Sequence, residues 1–117
     1  MSQHHGSCHC GAVQLDVELE LLNLMTCNCS ICGRTGAIMA FVPASKVTRT
    51  AADDAETDYQ FGKMRIHHSF CRTCGVRTMG TGPGHDGQPW HMVNVRCLDG
   101  VDVHSLAIAQ KYDGRAV

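Results

Sequence analysis

The chain has 117 residues and a mass of 12.7 kDa, the common size of one domain, so residues 1–117 are read as a single unit. Ten Lys and Arg against 11 Asp and Glu give a formal charge of −1, which excludes a strongly basic nucleic-acid surface. No apolar run approaches the ~20 residues of a membrane span, and the first six residues lack the basic start and apolar stretch of a secretory signal, so a cytoplasmic chain is expected.

Along the chain, Ala12 to Glu20 alternates, with Val13, Leu15, Val17 and Leu19 on one face and Gln14, Asp16, Glu18 and Glu20 on the other. This period of two predicts a half-buried strand. Ala37 to Val42 is a short apolar run ended by Pro43 and predicts a more buried one. Ser45 to Asp58 is polar and reads as a surface connection with one helical turn. Tyr59–Phe61 and Met64–Phe70 read as paired strands around Gly62-Lys63. Gly80 to Pro89 holds four glycines and two prolines and reads as a loop. Trp90 to Leu98 alternates again, placing Val93, Val95 and Cys97 on one side, and a last strand follows Gly100 around Val103 to Ile108. No amphipathic helix exceeds two turns, so the class is mainly β.

Eight cysteines are far more than packing requires. Disulfides are rare in a reducing compartment, and pairs as tight as Cys8/Cys10 and Cys27/Cys29 suit metal binding better. In extended chain Cys8 and Cys10 point to the same side, with Cα atoms about 6.7 Å apart. Zinc at ~2.3 Å from each sulfur wants neighbouring sulfurs about 3.8 Å apart, and leaning side chains close that gap. Cys71-Arg72-Thr73-Cys74-Gly75 reads as a zinc knuckle, its glycine permitting the left-handed backbone that turns amides toward sulfur. Together the two pairs supply four thiolates, the set of a closed structural site.

Cys27-Asn28-Cys29-Ser30-Ile31-Cys32 is a different object, because C-x-C-x-x-C brings three sulfurs onto one turn. Three protein ligands leave a position for water or substrate, as in catalytic zinc sites; the alternative is closure by Cys97 as a fourth ligand. The spacing matches neither common ferredoxin pattern. Among eight histidines, His68 and His91 are candidates for carrying a proton near the metal, whereas His4, His5, His9, His85 and His104 read as solvated or structural. Arg34 and Arg77 lie close in sequence to the metal motifs and are candidates for holding substrate carboxylates.

The ordered triplet Gly6-Ser7-Cys8-His9-Cys10-Gly11, Cys27-Asn28-Cys29-Ser30-Ile31-Cys32 and Phe70-Cys71-Arg72-Thr73-Cys74-Gly75 resembles the glutathione-dependent formaldehyde-activating enzyme family, which includes centromere protein V. Val93 to Asp99 is similar to a later block of that family, so the likeness spans nearly the whole chain. The resemblance implies several coiled antiparallel sheets around zinc knuckles, a fold shared with a zinc-bearing accessory factor of Rab GTPases. It implies two Zn²⁺, a structural ion on Cys8, Cys10, Cys71 and Cys74 and a second on Cys27, Cys29 and Cys32. The namesake reaction joins formaldehyde to glutathione, giving S-hydroxymethylglutathione, and is classed with the carbon–sulfur lyases. Where members often carry an aromatic and an Arg-Ser-Pro segment after the knuckle, this chain has Met79-Gly80-Thr81-Gly82-Pro83-Gly84, which bears on substrate identity. Two functions follow as expectations. One is an enzyme acting on a thiol and a small aldehyde, with Cys27, Cys29, Cys32 and His68 as its catalytic set; the other is a non-catalytic, zinc-stabilised protein-binding module.

Overall fold

The alternation near the N-terminus forms β2 (Gln14–Leu19), whose Leu15, Val17 and Leu19 are buried, as a period of two requires. These side chains come from a computed structural model that describes residues 2–84 and 86–116; His85, expected in the glycine-rich loop, lies outside the described residues. Strand β1 (Ser2–Ser7) pairs antiparallel with β2 from Ser2↔Leu19 to Ser7↔Gln14. His4 and His5 belong to a paired strand, and His5 Nδ1 lies 2.9 Å from Asp16 Oδ1. The polar stretch 45–58 is not simply a connection. After a 3₁₀ turn at Ala44–Lys46 it supplies two strands, β5 (Val47–Thr50) and β6 (Glu56–Tyr59). Both are mostly exposed, so their side chains carry no apolar alternation and only backbone pairing reveals them. The first sheet runs β1-β2-β5.

The second sheet has seven strands. To β6 it adds β3 (Leu24–Cys27), β4 (Met39–Pro43), β7 (His67–Cys71), β8 (Met79–Pro83), β9 (Pro89–Asn94) and β10 (Ile108–Tyr112). Their order is β10-β3-β4-β9-β8-β7-β6, antiparallel except for β10 beside β3. Half of the expected 80–89 loop is thus strand, because β8 pairs with β9 from Met79↔Val93 to Pro83↔Pro89 despite its glycines. The strand expected over 90–98 stops at Asn94, whose side chain accepts from the Arg96 amide and starts a 3₁₀ turn over Val95–Cys97. Val103–Ser105 is likewise a 3₁₀ turn started by Asp102, and the last strand begins only at Ile108.

The core lies between the sheets. Leu15, Val17 and Leu19 pack with Leu24, Ile38, Ala40, Val42 and Val93, and full burial of each Leu, Ile or Val contributes about 1.5–3 kcal/mol. Strand register fixes what the opposite face of the larger sheet presents. Phe41 pairs with Met92, Met92 with Gly80, Gly80 with His68, and Met25 with Met39. One strand face therefore holds the core, and the other carries methionines, an aromatic ring and a histidine.

Candidate functional site

The Cys8–Cys10 turn joins β1 to β2, and Cys71 ends β7, so the first cluster ties the two sheets together. The sulfurs of Cys8, Cys10, Cys71 and Cys74 all lie within 4.8 Å of one another. Cys8 to Cys10 and Cys10 to Cys71 each measure 3.7 Å between sulfurs, close to the tetrahedral zinc spacing of about 3.8 Å. Backbone amides serve the sulfurs: Val13 donates to Cys8 at 3.3 Å and Thr73 to Cys71 at 3.4 Å. Gly75 has φ 78°, the left-handed turn the knuckle needs. Amide donation from Cys10, then from Val76, lowers the Cys74 thiol to about 6. This is a donor set built for a metal cation, and it fits zinc.

In the second cluster Cys27 ends β3, Cys29 lies in the following turn, and Cys32 opens a single helical turn, α1 (Cys32–Thr35). Their sulfurs also lie within 4.8 Å of one another. The Cys29 amide donates to Cys27 sulfur and the Cys32 amide to Cys29 sulfur, both at 3.4 Å. Here burial works against the thiolate: it raises Cys32 to about 12, the neighbouring Cys29 thiol adding to the effect. Three soft donors fit zinc with one ligand fewer than the first cluster supplies.

A cavity of about 450 Å³ adjoins this triad, within the range of small-molecule sites. Its polar lining beyond the cysteines is His68, Arg77 and Tyr112. His68 is only 7% exposed, and its ring stacks on Phe61 at 5.3 Å between centroids. His68 Nδ1 and one Nη nitrogen of Arg77 are buried with no hydrogen-bond partner among the described residues. Buried polar atoms in native proteins nearly always have partners, so two orphans on one cavity wall mark a place for a ligand. Burial, then the charge of Arg77, lowers the His68 pKa and leaves its ring neutral at pH 7. Burial also lowers that of Arg77, against which the Cys32 and Cys29 sulfurs act.

Other sequence candidates lie elsewhere. Arg34 is exposed and its guanidinium holds the Ser30 carbonyl at 2.7 Å, beyond the Ile31 and Phe61 rim of the cavity. His91 has the strand parity of Val93, faces away from Met92, and bonds Thr81 Oγ1 at 2.9 Å. Cys97 does not join the triad. Burial raises its thiol to about 11, the nearby thiols of the first cluster, Cys8 and Cys74, add to this, and its sulfur donates to the Arg77 carbonyl at 3.5 Å.

Sequence reasoning missed the C-terminal clasp. Asn28, between the first two cysteines of the triad, donates from its amide to Asp113 Oδ1 at 2.8 Å. Arg115 donates back, from its backbone to Asn28 Oδ1 at 3.1 Å and from Nε to the Asn28 carbonyl at 2.8 Å. Gly114 sits directly on the triad: a Cβ there would lie 2.7 Å from Cys27 Sγ. Separations of 85 to 87 residues left no local signal of this contact.

Compared with known proteins, the chain matches the model of the family described as "Glutathione-dependent formaldehyde-activating enzyme" over residues 3–112. It is also similar to the crystal structure of a Rhodobacter sphaeroides protein solved as a structural genomics target. That match has 37% identity and a TM-score of 0.80, and covers 92% of this chain and 98% of the other. Among the described residues no helix is long and apolar enough to cross a membrane. With the family model spanning all three cysteine motifs, the chain belongs to the glutathione-dependent formaldehyde-activating enzyme family.

Proposed function

We propose that this protein catalyses reversible carbon–sulfur bond formation between a thiol and a small aldehyde, the cavity beside Cys27, Cys29 and Cys32 being its reaction chamber. The family name gives glutathione and formaldehyde as the reference pair. The observation that carries the reading is the asymmetry of the clusters. Four thiols saturate the first, whereas the second offers three and fronts a cavity containing two orphaned polar atoms.

Zinc held by Cys27, Cys29 and Cys32 would supply a position at which a bound thiol is deprotonated near neutral pH. In the forward direction the substrate sulfur attacks the carbonyl carbon, a C–S bond forms, and the carbonyl π electrons move onto oxygen. The proton lost from sulfur ends on that oxygen, giving the hemithioacetal, an S-hydroxymethyl group when the aldehyde is formaldehyde. We assign the taking and return of the proton to His68, a neutral ring on the cavity lining with an unpartnered nitrogen. Arg77, which lines the cavity, is the cation available to an anionic part of the substrate. The proposed thiol chemistry suits a reducing compartment such as the cytoplasm.

Cobalt substitution tests this. A four-thiolate band should be indifferent to added thiol, while the band of the second site should shift as glutathione or another thiol is titrated in. Two bands that both ignore thiols would refute the reaction chamber and favour a zinc-stabilised binding module.

A further inference from the structure

The chemistry of the cavity wall is more specific than the family name, and rests on the reaction chamber just described. We infer that the chamber selects a substrate with an apolar body and a single carboxylate, in preference to a peptide-like zwitterion such as glutathione. Methionines 25, 39 and 92 line it together with Phe41, Phe61 and Ile66. These side chains come from separate strands and turns, and flexible thioethers shape themselves around varied apolar groups. The mouth is apolar as well. Four of the seven large hydrophobic residues exposed among the described residues line this cavity, namely Phe41 (42%), Phe61, Ile66 and Tyr112 (47%). Such clustering at one opening marks a surface kept for an apolar ligand.

The chamber also extends. Phe41, Ile66 and Met92 line both it and a second hollow of about 290 Å³ ending at Trp90. Glycines at 80 and 82 let side chains lie close over this sheet face: a Cβ on Gly80 would lie 2.8 Å from Arg77 Nη2 and 3.1 Å from Met92 Cε, and one on Gly82 would lie 3.4 Å from Ile66 Cγ1. The Met79–Pro83 segment that departs from the family pattern therefore seats Arg77, Met92 and Ile66 close against the sheet.

Charge is placed at one point. Arg77 is the one cationic side chain on the lining, His68 being neutral, and no Asp or Glu lines the chamber among the described residues. A carboxylate has a cationic partner there in Arg77, and an ammonium group has no carboxylate side chain to pair with among the described residues. Glutathione carries two carboxylates, an ammonium and two peptide groups, most of which would lie against methionine and phenylalanine without hydrogen bonds. Arg65, at the edge of the second hollow, is exposed and so exerts a weak, water-screened pull on a second carboxylate.

The test is calorimetry on the zinc-loaded full chain with 3-phenylpropionate, 3-phenylpropionamide, propionate, 2-sulfanyl-3-phenylpropionate and reduced glutathione. The expected result is that 3-phenylpropionate binds at least tenfold more tightly than its amide or propionate. The sulfanyl acid should bind at least tenfold more tightly than glutathione. Arg77→Gln should erase the acid-over-amide preference and Arg77→Lys should restore part of it, while Phe41→Ala should weaken the phenyl acid and not propionate. Absence of 3-phenylpropionate binding, equal binding of acid and amide, or tighter binding of glutathione would each overturn the inference. The two readings fail separately. If 3-phenylpropionate binds selectively but no thiol moves the cobalt band, the reaction chamber falls and the selectivity stands; a band moved best by glutathione does the reverse.

Discussion

Replacing Gly114 with alanine isolates the second cluster from the first. The backbone at 114 is not in the left-handed region, so the substitution acts through space alone. The new methyl would lie 2.7 Å from Cys27 Sγ and 2.8 Å from Cys29 Cβ, where ordinary contacts begin near ~3.5–4 Å. About 1 Å of movement is required, and it must come from the cysteine turn or from the Asn28–Asp113–Arg115 clasp. Overpacking of this kind costs about 1–3 kcal/mol. If the triad bears it, metal affinity there falls by roughly 5- to 150-fold, at ~1.4 kcal/mol per tenfold. The first cluster stands on different strands and should keep its affinity. A chelator competition that resolves two release phases reads both sites at once. Gly114→Ala should advance the weaker phase and leave the tighter one in place. An unchanged profile, or equal loss at both sites, would refute the placement of Gly114 against the triad.

Further outcomes are expected. Cys74→Ala should unfold the chain, since a structural zinc contributes on the order of 10–16 kcal/mol, whereas Cys29→Ala should keep its circular dichroism and lose turnover; two folded, active variants would contradict this division of roles. Asn28→Ala removes two side-chain hydrogen bonds, worth about 1–3 kcal/mol together, and should speed amide exchange over 27–33 and 112–115 without disturbing the first sheet. His68 is held below its ordinary pKa by burial and then by Arg77, so the unfolded chain binds this proton first as pH falls. Its contribution to stability is whole above ~6.5, the unfolded value, and is lost as pH drops through the folded value below that. His68→Gln should therefore lose less stability than the parent between pH 7 and 5 in urea unfolding; a pH-independent difference between the two would count against a neutral, buried ring.

How much of this was legible in the sequence depended on whether a signal was local. Val13 to Leu19 announced β2 because one face is core and the other water, and the cysteine motifs announced both clusters because thiol ligands sit two or three residues apart. Strand β5 was invisible, since an exposed edge leaves its side chains free to be polar, and of β6 only Tyr59 fell inside the pairing expected between 59–61 and 64–70, the rest being exposed and polar as well. Gly80 and Gly82 looked like a loop because turns and crowded sheet floors demand the same residue; only pairing with β9 separates the two cases. Arg77 was a candidate from its nearness to the knuckle, but its unpartnered Nη nitrogen is a property of what surrounds it. Arg34 had the same standing in sequence and points instead to its own turn. The apolar mouth was illegible for a different reason: Phe41, Phe61, Ile66 and Tyr112 are scattered singly along the chain, and folding alone gathers them.

The central claim is that two cysteine clusters of unequal ligand number hold metal, one saturated by protein and one open to the cavity. Crystals of the zinc-loaded protein with anomalous difference maps recorded on both sides of the zinc edge test it most directly. Two peaks are predicted, one bounded by sulfurs of Cys8, Cys10, Cys71 and Cys74, the other by those of Cys27, Cys29 and Cys32 with a non-protein ligand facing the cavity. A single peak, or a fourth protein side chain completing the second site, would contradict it.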